Sequence, residues 1–423
     1  MTTVNEFKRY GIQFGAQKED LVALRQQIAS VGGRKITEAK ETNQLMVSLT
    51  DVMATRLTGL GYAPVLVQST ASSGVSTPTP IISAAVYQPV DLMNLLGLNQ
   101  FRLSLDPPMS GNGFVVAVIG TGIRASHGFL GGKVIYSKNF TSDSPGDGFD
   151  HDTGVASIIH AVVPDAAILD LKVIDRTGNG TEEAVVLALN HCIELLDTNP
   201  SIAPNVINMS LGSNDDDNPN NVVRVACRAA LDKGFVIIAS AGNNGAKAGA
   251  ITVPACEQDV AAIGSMSVSP LAVDDFSSRG PTRRGLVKPD AVFLGDSIIM
   301  ASSANDLATV SKSGTSFSTP MTSGVVILTM EGIKRTQNIP LSQVVGKNVL
   351  TGRIVVEQMF PQVCTKPQSV VDRLKDNDYG YGIPVGSLMV QTTGVGNIDW
   401  SGTLNMSVTL MMLTVMTGMM RTL

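Results

Sequence analysis

Three polar side chains stand where an apolar run ends or begins, and their types suit work on a carbonyl oxygen. Ser316 lies in Ser313-Gly-Thr-Ser-Phe-Ser-Thr-Pro320, just before the apolar helical run Val325 to Met330. The glycine-tight turn presents a hydroxyl, and backbone N–H groups at a helix start point out of the helix towards a ligand oxygen. A serine there also suits a plain helix N-cap. His151 lies in Phe149-Asp-His-Asp-Thr-Gly-Val-Ala156, again at the start of a helical pattern, where a lone histidine is often structural. Asn243 lies in Ala241-Gly-Asn-Asn-Gly245, directly after the apolar run 235–240. Its amide can donate to an oxyanion, although Asn and Gly favour ordinary turns as well.

The elements that must position these groups belong to a long α/β pattern. Between about 90 and 392, continuous apolar runs such as VVAVIG, AAILDLKVI, VINMSLG and FVIIASAG alternate with helical patterns. Strands that are apolar throughout are covered on both faces, so the pattern predicts a doubly wound, mostly parallel sheet. Its chemistry belongs at the carboxyl ends of the strands. Residues 1–68 form a separate unit with strands over 9–14, 35–39, 44–49 and 64–68. One helix covers 18–30 and ends at Gly32-Gly33, and a second starts at Asp51 as cap and runs to about Leu57. The order β-α-β-β-α-β predicts a small ferredoxin-like α+β lobe. Residues 69–80 (STASSGVSTPTP) cannot build a core, so 69–90 reads as an exposed linker open to proteolysis. In the last segment, 393–423, six methionines fall within 406–423, and it reads as an apolar tail packing on the domain or on a neighbouring chain.

Composition narrows the function classes. The chain has 423 residues, 43% of them hydrophobic and 16% charged, enough for two or three domains with a large core. A net charge of -5 gives no footprint for nucleic acid. Cys192, Cys227, Cys256 and Cys364 read as small buried thiols rather than a disulfide framework or ligands. The N-terminal MTTVNEFKRY has no apolar core of a secretory signal. The expectation is a cytoplasmic protein, or a secreted one whose signal was removed. No run of 18 apolar residues is present to span a membrane.

Taken together, the segments resemble the subtilase family of serine proteases over about 300 residues in the right order. The resemblance rests on VAVIGTGI at 116–123 with His127 following, the His151 helix, Asn208-Met-Ser-Leu-Gly212 and Ala241-Gly-Asn243. It continues through Phe276-Ser-Ser-Arg-Gly-Pro281, Lys288-Pro-Asp290, the SGTS ending at Ser316, and YGYG at 379–382. Residues 1–68 are similar to the inhibitor-type prodomain of that family, which implies an intramolecular inhibitor. The resemblance implies peptide-bond hydrolysis on protein or peptide substrates. Ser316 would be the nucleophile, His151 the general base and then acid, and Asn243 with the Ser316 N–H the oxyanion hole. Ser210-Leu211-Gly212 and Gly178-Asn179-Gly180 would hold substrate as an added strand. No cofactor or metal is assigned. Calcium is frequent in the family and Asn214–Asp217 is a candidate surface site, but an acidic run is more often a solvated loop. Oligomeric state, substrate preference and processing site stay open.

One position departs from the family at the centre of the chemistry. Gly120 stands where the family has the aspartate that orients the histidine and stabilises its cation. Loss of that carboxylate costs roughly 10⁴ in kcat, or roughly 5–6 kcal/mol of transition-state stabilisation. Asp150 and Asp152 flank His151, but side chains of adjacent residues normally diverge, and Asp152 itself replaces a glycine of the family motif. The expectation is therefore a small, water-filled space beside the histidine, a strongly impaired or precursor-trapped endopeptidase, and a gain of several decades on Gly120→Asp. The alternatives are a pseudoprotease that binds extended peptide without cutting it, or a structural role using the apolar tail.

Overall fold

A computed structural model of the chain describes residues 6–15, 18–71, 86–336, 350–367, 370 and 374–393. The chain opens with β1 (Lys8–Gln13), α1 (Lys18–Val31), β2 (Arg34–Ala39), β3 (Gln44–Leu49), α2 (Asp51–Gly59) and β4 (Val65–Leu66). The four strands form an antiparallel sheet in the order β2-β3-β1-β4, the arrangement the β-α-β-β-α-β order calls for. Its own small core holds Tyr10, Ile12, Leu24, Ile28, Leu45, Val47, Leu49 and Leu57. One detail differs from the sequence expectation. Thr50, not Asp51, caps α2, accepting from the Met53 N–H at 3.3 Å. Asp51 is spent on Lys8 and the Tyr10 hydroxyl.

Two further differences concern the segment read as an exposed linker. Ser69–Ala71 forms a strand, β5, and Tyr87 bridges to Ile298 just before helix α3 (Pro89–Leu95). Residues 72–85 and the Met-rich 394–423 lie outside the described residues. Helix α4 (Leu98–Arg102) follows α3.

The α/β unit continues with β6 (Val115–Gly120), β7 (Val134–Asn139), α5 (Asp152–Val162), β8 (Ala167–Lys172), β9 (Asn179–Thr181) and α6 (Glu182–Thr198). It goes on with β10 (Val206–Met209), α7 (Val222–Asp232), β11 (Val236–Ser240), β12 (Ala261–Met266) and β13 (Ala291–Leu294). A hairpin, β14 (Ile298–Ala301) with β15 (Thr309–Lys312), leads into α8 (Thr315–Thr336). Seven of these strands form one parallel sheet in the order β13-β12-β11-β10-β6-β8-β7. Helices cover both faces. One core layer packs α5 and α8 against Val116, Val118, Val206, Ile238 and Ile263. The other packs α6 and α7 against Ala117, Ile119, Leu171, Ile207 and Ile237. β6, β10 and β11 are buried at every position, which is why they read as unbroken apolar runs. The four cysteines are all buried, and burial pushes the Cys192 and Cys256 thiols up to about 12.

Candidate active site

Residues 315–317, in the first turn of α8, are the point where the site gathers. Gly314 supplies the turn that ends the hairpin, with φ +158. The Ser316 hydroxyl donates to the Ser210 carbonyl at 3.3 Å, and the Ser210 hydroxyl donates back to the Ser316 carbonyl at 2.9 Å. This exchange ties the Ser210-Leu211-Gly212 segment, at the carboxyl end of β10, to the serine. Asn243 follows β11. Its Oδ1 accepts from the Thr315 N–H at 3.1 Å and the Thr315 hydroxyl at 2.9 Å, which fixes the amide plane. Asn243 Nδ2 is then left facing away, buried and without a hydrogen-bond partner among the described residues. An amide donor held this way has its orientation set by one end and its other end available to a ligand oxygen.

His151 reaches the same place from α5. It is the N-cap residue of that helix, with φ -130 and ψ -60, and Asp150 before it takes a left-handed φ of +63. The His151 ring is buried and packs against the ring of Phe317, the residue after Ser316, with centroids 5.4 Å apart. Its Nε2 has no hydrogen-bond partner among the described residues.

The space expected beside this ring is filled, and by a protein group. His151 Nδ1 lies 2.6 Å from Oδ1 of Asp152. Asp152 Oδ2 accepts the Thr121 N–H at 2.7 Å, and the Asp152 N–H donates to the Thr121 hydroxyl at 3.0 Å. The sequence argument that adjacent side chains diverge fails because His151 is not helical. The left-handed turn at Asp150 and the broken geometry of the cap swing the ring over the first residue of α5. Asp152 is 1% exposed. Burial pushes its carboxyl up, while the His151 ring and the Thr121 N–H pull it down. Gly120 sits directly under it: a Cβ there would meet Asp152 Cγ at 2.8 Å and Oδ1 at 2.9 Å, with Oδ2 closer still. The glycine at 120 thus makes room for the aspartate at 152.

The two other nearby carboxylates, Asp150 and Asp147, are engaged elsewhere. Asp150 accepts from the Ser302 hydroxyl at 2.8 Å and the Ser303 N–H at 2.6 Å, and it faces Lys312. Asp147, which the sequence reading passed over, clamps the approach to α5. It accepts from the N–H groups of Phe149, His151 and Thr153 and from the hydroxyls of Thr121 and Thr153. The signal for it was weak, since an aspartate in a Gly-rich loop is expected to serve a turn.

Gly178-Asn179-Gly180 lies along a different edge. Its strand β9 pairs antiparallel with β5, matching Ser69 with Thr181, Thr70 with Gly180 and Ala71 with Asn179. The edge read as a peptide-holding strand therefore already carries an added strand from the same chain. A cavity of about 270 Å³ beside it is lined by Phe140, Val173, Asp175, Thr181 and Ala184. No group of three His, Cys, Asp or Glu side chains among the described residues is arranged to hold a metal ion. Of the acidic run 214–217, Asp215 caps the Asp217 N–H and faces Arg224, and Asp216 caps Asn218.

A model of the subtilase family matches residues 111–382, from the strand that ends at Gly120 through α8 to the YGYG segment. The chain belongs to the subtilase family. Its sequence is 28% identical to the serine protease AprX of Bacillus subtilis over 258 residues, 53% of this chain and 58% of that protein. It is 30% identical to a subtilisin-like protease of Coccidioides posadasii over 275 residues, 64% of this chain and 63% of that one. To the major intracellular serine protease of Bacillus subtilis it is 29% identical over 241 residues, 52% of this chain and 69% of the relative. The chain thus spans less than two thirds of the length of the first two of these proteins. Among the described residues no helix is long and apolar enough to cross a membrane.

Proposed function

We propose that this subtilase is a serine endopeptidase that turns over, rather than a passive peptide binder. The observation that carries the reading is the state of His151: its Nδ1 is held by a carboxylate at 2.6 Å, and its Nε2, beside the first turn of α8, has no partner among the described residues. Ser316 Oγ attacks the peptide carbonyl while its proton passes to His151 Nε2. The C–O bond forms as the carbonyl electron pair moves onto oxygen. Asn243 Nδ2 and the Ser316 N–H face that oxyanion; its collapse breaks the C–N bond as His151 gives its proton to the leaving amine, and a water deprotonated by His151 then hydrolyses the acyl-enzyme and frees Ser316. The strong impairment expected from glycine at 120 presumed a vacant space beside the ring. With that space filled by a carboxylate, the presumed loss of roughly 10⁴ has no structural basis.

The N-terminal lobe is read as the chain's own inhibitor. Its support is β5, which follows the lobe directly and occupies the β9 edge as an extended peptide would. Processing is then expected within 69–90, after which the lobe stays bound until it dissociates. The test is labelling of the intact chain with a fluorophosphonate, followed by turnover of a peptide library. Covalent label on Ser316 and cleavage that both vanish in Ser316→Ala support an endopeptidase. Peptide binding with no label and no Ser316-dependent cleavage replaces it with the pseudoprotease reading.

A further inference from the structure

We infer that Asp152 is the carboxylate that positions His151, and that Gly120 and Asp152 are one coupled exchange: the carboxylate has moved from the end of β6 to the first residue of α5. The inference rests on the peptidase reading of this site and deepens it. Three independent features carry it. Oδ1 of Asp152 is on His151 Nδ1 at 2.6 Å, the nitrogen opposite the unpartnered Nε2. Oδ2 is bonded by the N–H of Thr121, the residue that follows the strand end, so the carboxylate is anchored to β6 without being covalently part of it. The volume it fills is the volume a side chain at 120 would need, since a Cβ there would stand within 3 Å of all three carboxyl atoms.

The transplanted group does the same work by a different route. Accepting the Nδ1–H fixes the tautomer whose Nε2 lone pair takes the Ser316 proton, and the negative charge offsets the imidazolium that results. Asp152 stays ionised throughout and passes no proton. Burial on balance raises this carboxyl, and the His151 ring, the Thr121 N–H and the N-terminal end of α5 oppose that rise. Asp152 acts through His151, so it is a positioning residue. Asp147 holds the His151 N–H and the Thr121 hydroxyl, keeping strand end and helix start in register.

Coupling makes a sharp prediction, opposite in sign to the one the family pattern suggests. Gly120→Asp alone puts two carboxylates into one buried volume, where like charges cannot both ionise, so it lowers activity. Asp152→Gly alone empties the space and lowers it too. The double variant Gly120→Asp with Asp152→Gly restores one carboxylate and recovers activity.

The experiment compares the full-length parent, both single variants, the double variant and the isosteric Asp152→Asn. kcat and KM on a peptide substrate are measured separately, together with the downfield proton resonance of His151 Nδ1–H in the resting protein. Asp152→Asn should lower kcat by roughly 10³- to 10⁴-fold with KM changed only a few-fold, and should lose the resonance. The double variant should return to within roughly tenfold of the parent, and recovery of folding in the double when Gly120→Asp alone misfolds also demonstrates the coupling. A kcat within tenfold of the parent in Asp152→Asn, or a gain of activity in Gly120→Asp alone, overturns the inference. The resonance is read without turnover, so it decides the Asp152–His151 pairing even in a parent with no Ser316-dependent cleavage. In that case it is the peptidase reading that falls.

Discussion

Asn243 and His151 share a design: each is fixed by one end and presents the other. For Asn243 the fixed end is Oδ1, held by two Thr315 donors, and the presented end is Nδ2. A donor that meets charge only in the transition state contributes to kcat and little to KM. Asn243→Ala should therefore lower kcat by roughly 10²- to 10³-fold with a small change in KM. A KM rise with kcat intact would reassign Asn243 to ground-state binding. At this scale the sequence was legible where a residue type sits alone in a recognisable segment, as with Ser316, His151 and Asn243. It was not legible for Asp152, because the decisive fact is a backbone angle at Asp150 that no motif states. A trace did exist. The family resemblance sets Gly120 where an aspartate is expected and Asp152 where a glycine is expected. Two opposite departures in one constellation are what the proposed exchange requires.

Among the elements, the buried strands were readable because burial on both faces removes polar residues from the sequence. β7 was not, since it lies at the sheet edge and its burial alternates, giving the mixed run VIYSKN. The exception inside a readable strand is Asp170 of β8, an acid 4% exposed between β6 and β7. Burial raises it to about 7, against the pull of the Ser137 hydroxyl, and its Oδ1 has no partner among the described residues. The folded chain therefore holds a proton there that the unfolded chain releases near 3.8. Stability from this group is full below that value, falls as pH rises to about 7, and stays low above it. Asp170→Asn removes the ionisation, and the variant should melt higher than the parent at pH 8, by a gain of at most roughly 4 kcal/mol. The advantage should shrink towards pH 4. Thermal melts of both proteins across this range decide it, and a variant less stable at every pH would show that a hydrogen-bond role outweighs the buried charge.

For the whole molecule, the question is what would hold the N-terminal lobe in place if the chain were cut within 72–85. Several contacts among the described residues attach it. Met46 and Ala39 of the lobe enter the core layer formed by α6 and α7. The Glu41 and Thr42 N–H groups donate to Asn190 Oδ1 at 2.7 and 3.3 Å. Arg9 grips Glu183 with both Nε and an Nη, and the backbone of Gln68 exchanges bonds with Glu182, whose other oxygen accepts from Asn221 at 2.7 Å. The Arg9 and Glu183 side chains are about 20 and 19% exposed, so the pair is partly desolvated and its loss strands a carboxylate at the interface. In a Ser316→Ala chain cut within 72–85 by an added protease, the two pieces should co-elute on size exclusion. Arg9→Ala should weaken that association by roughly tenfold or more, a loss on the order of 1.4 kcal/mol. Conservative Arg9→Lys should recover only part of it, because an ammonium cannot reproduce the two-pronged grip. Pieces that separate at once in the parent would mean that the lobe is held by its tether alone.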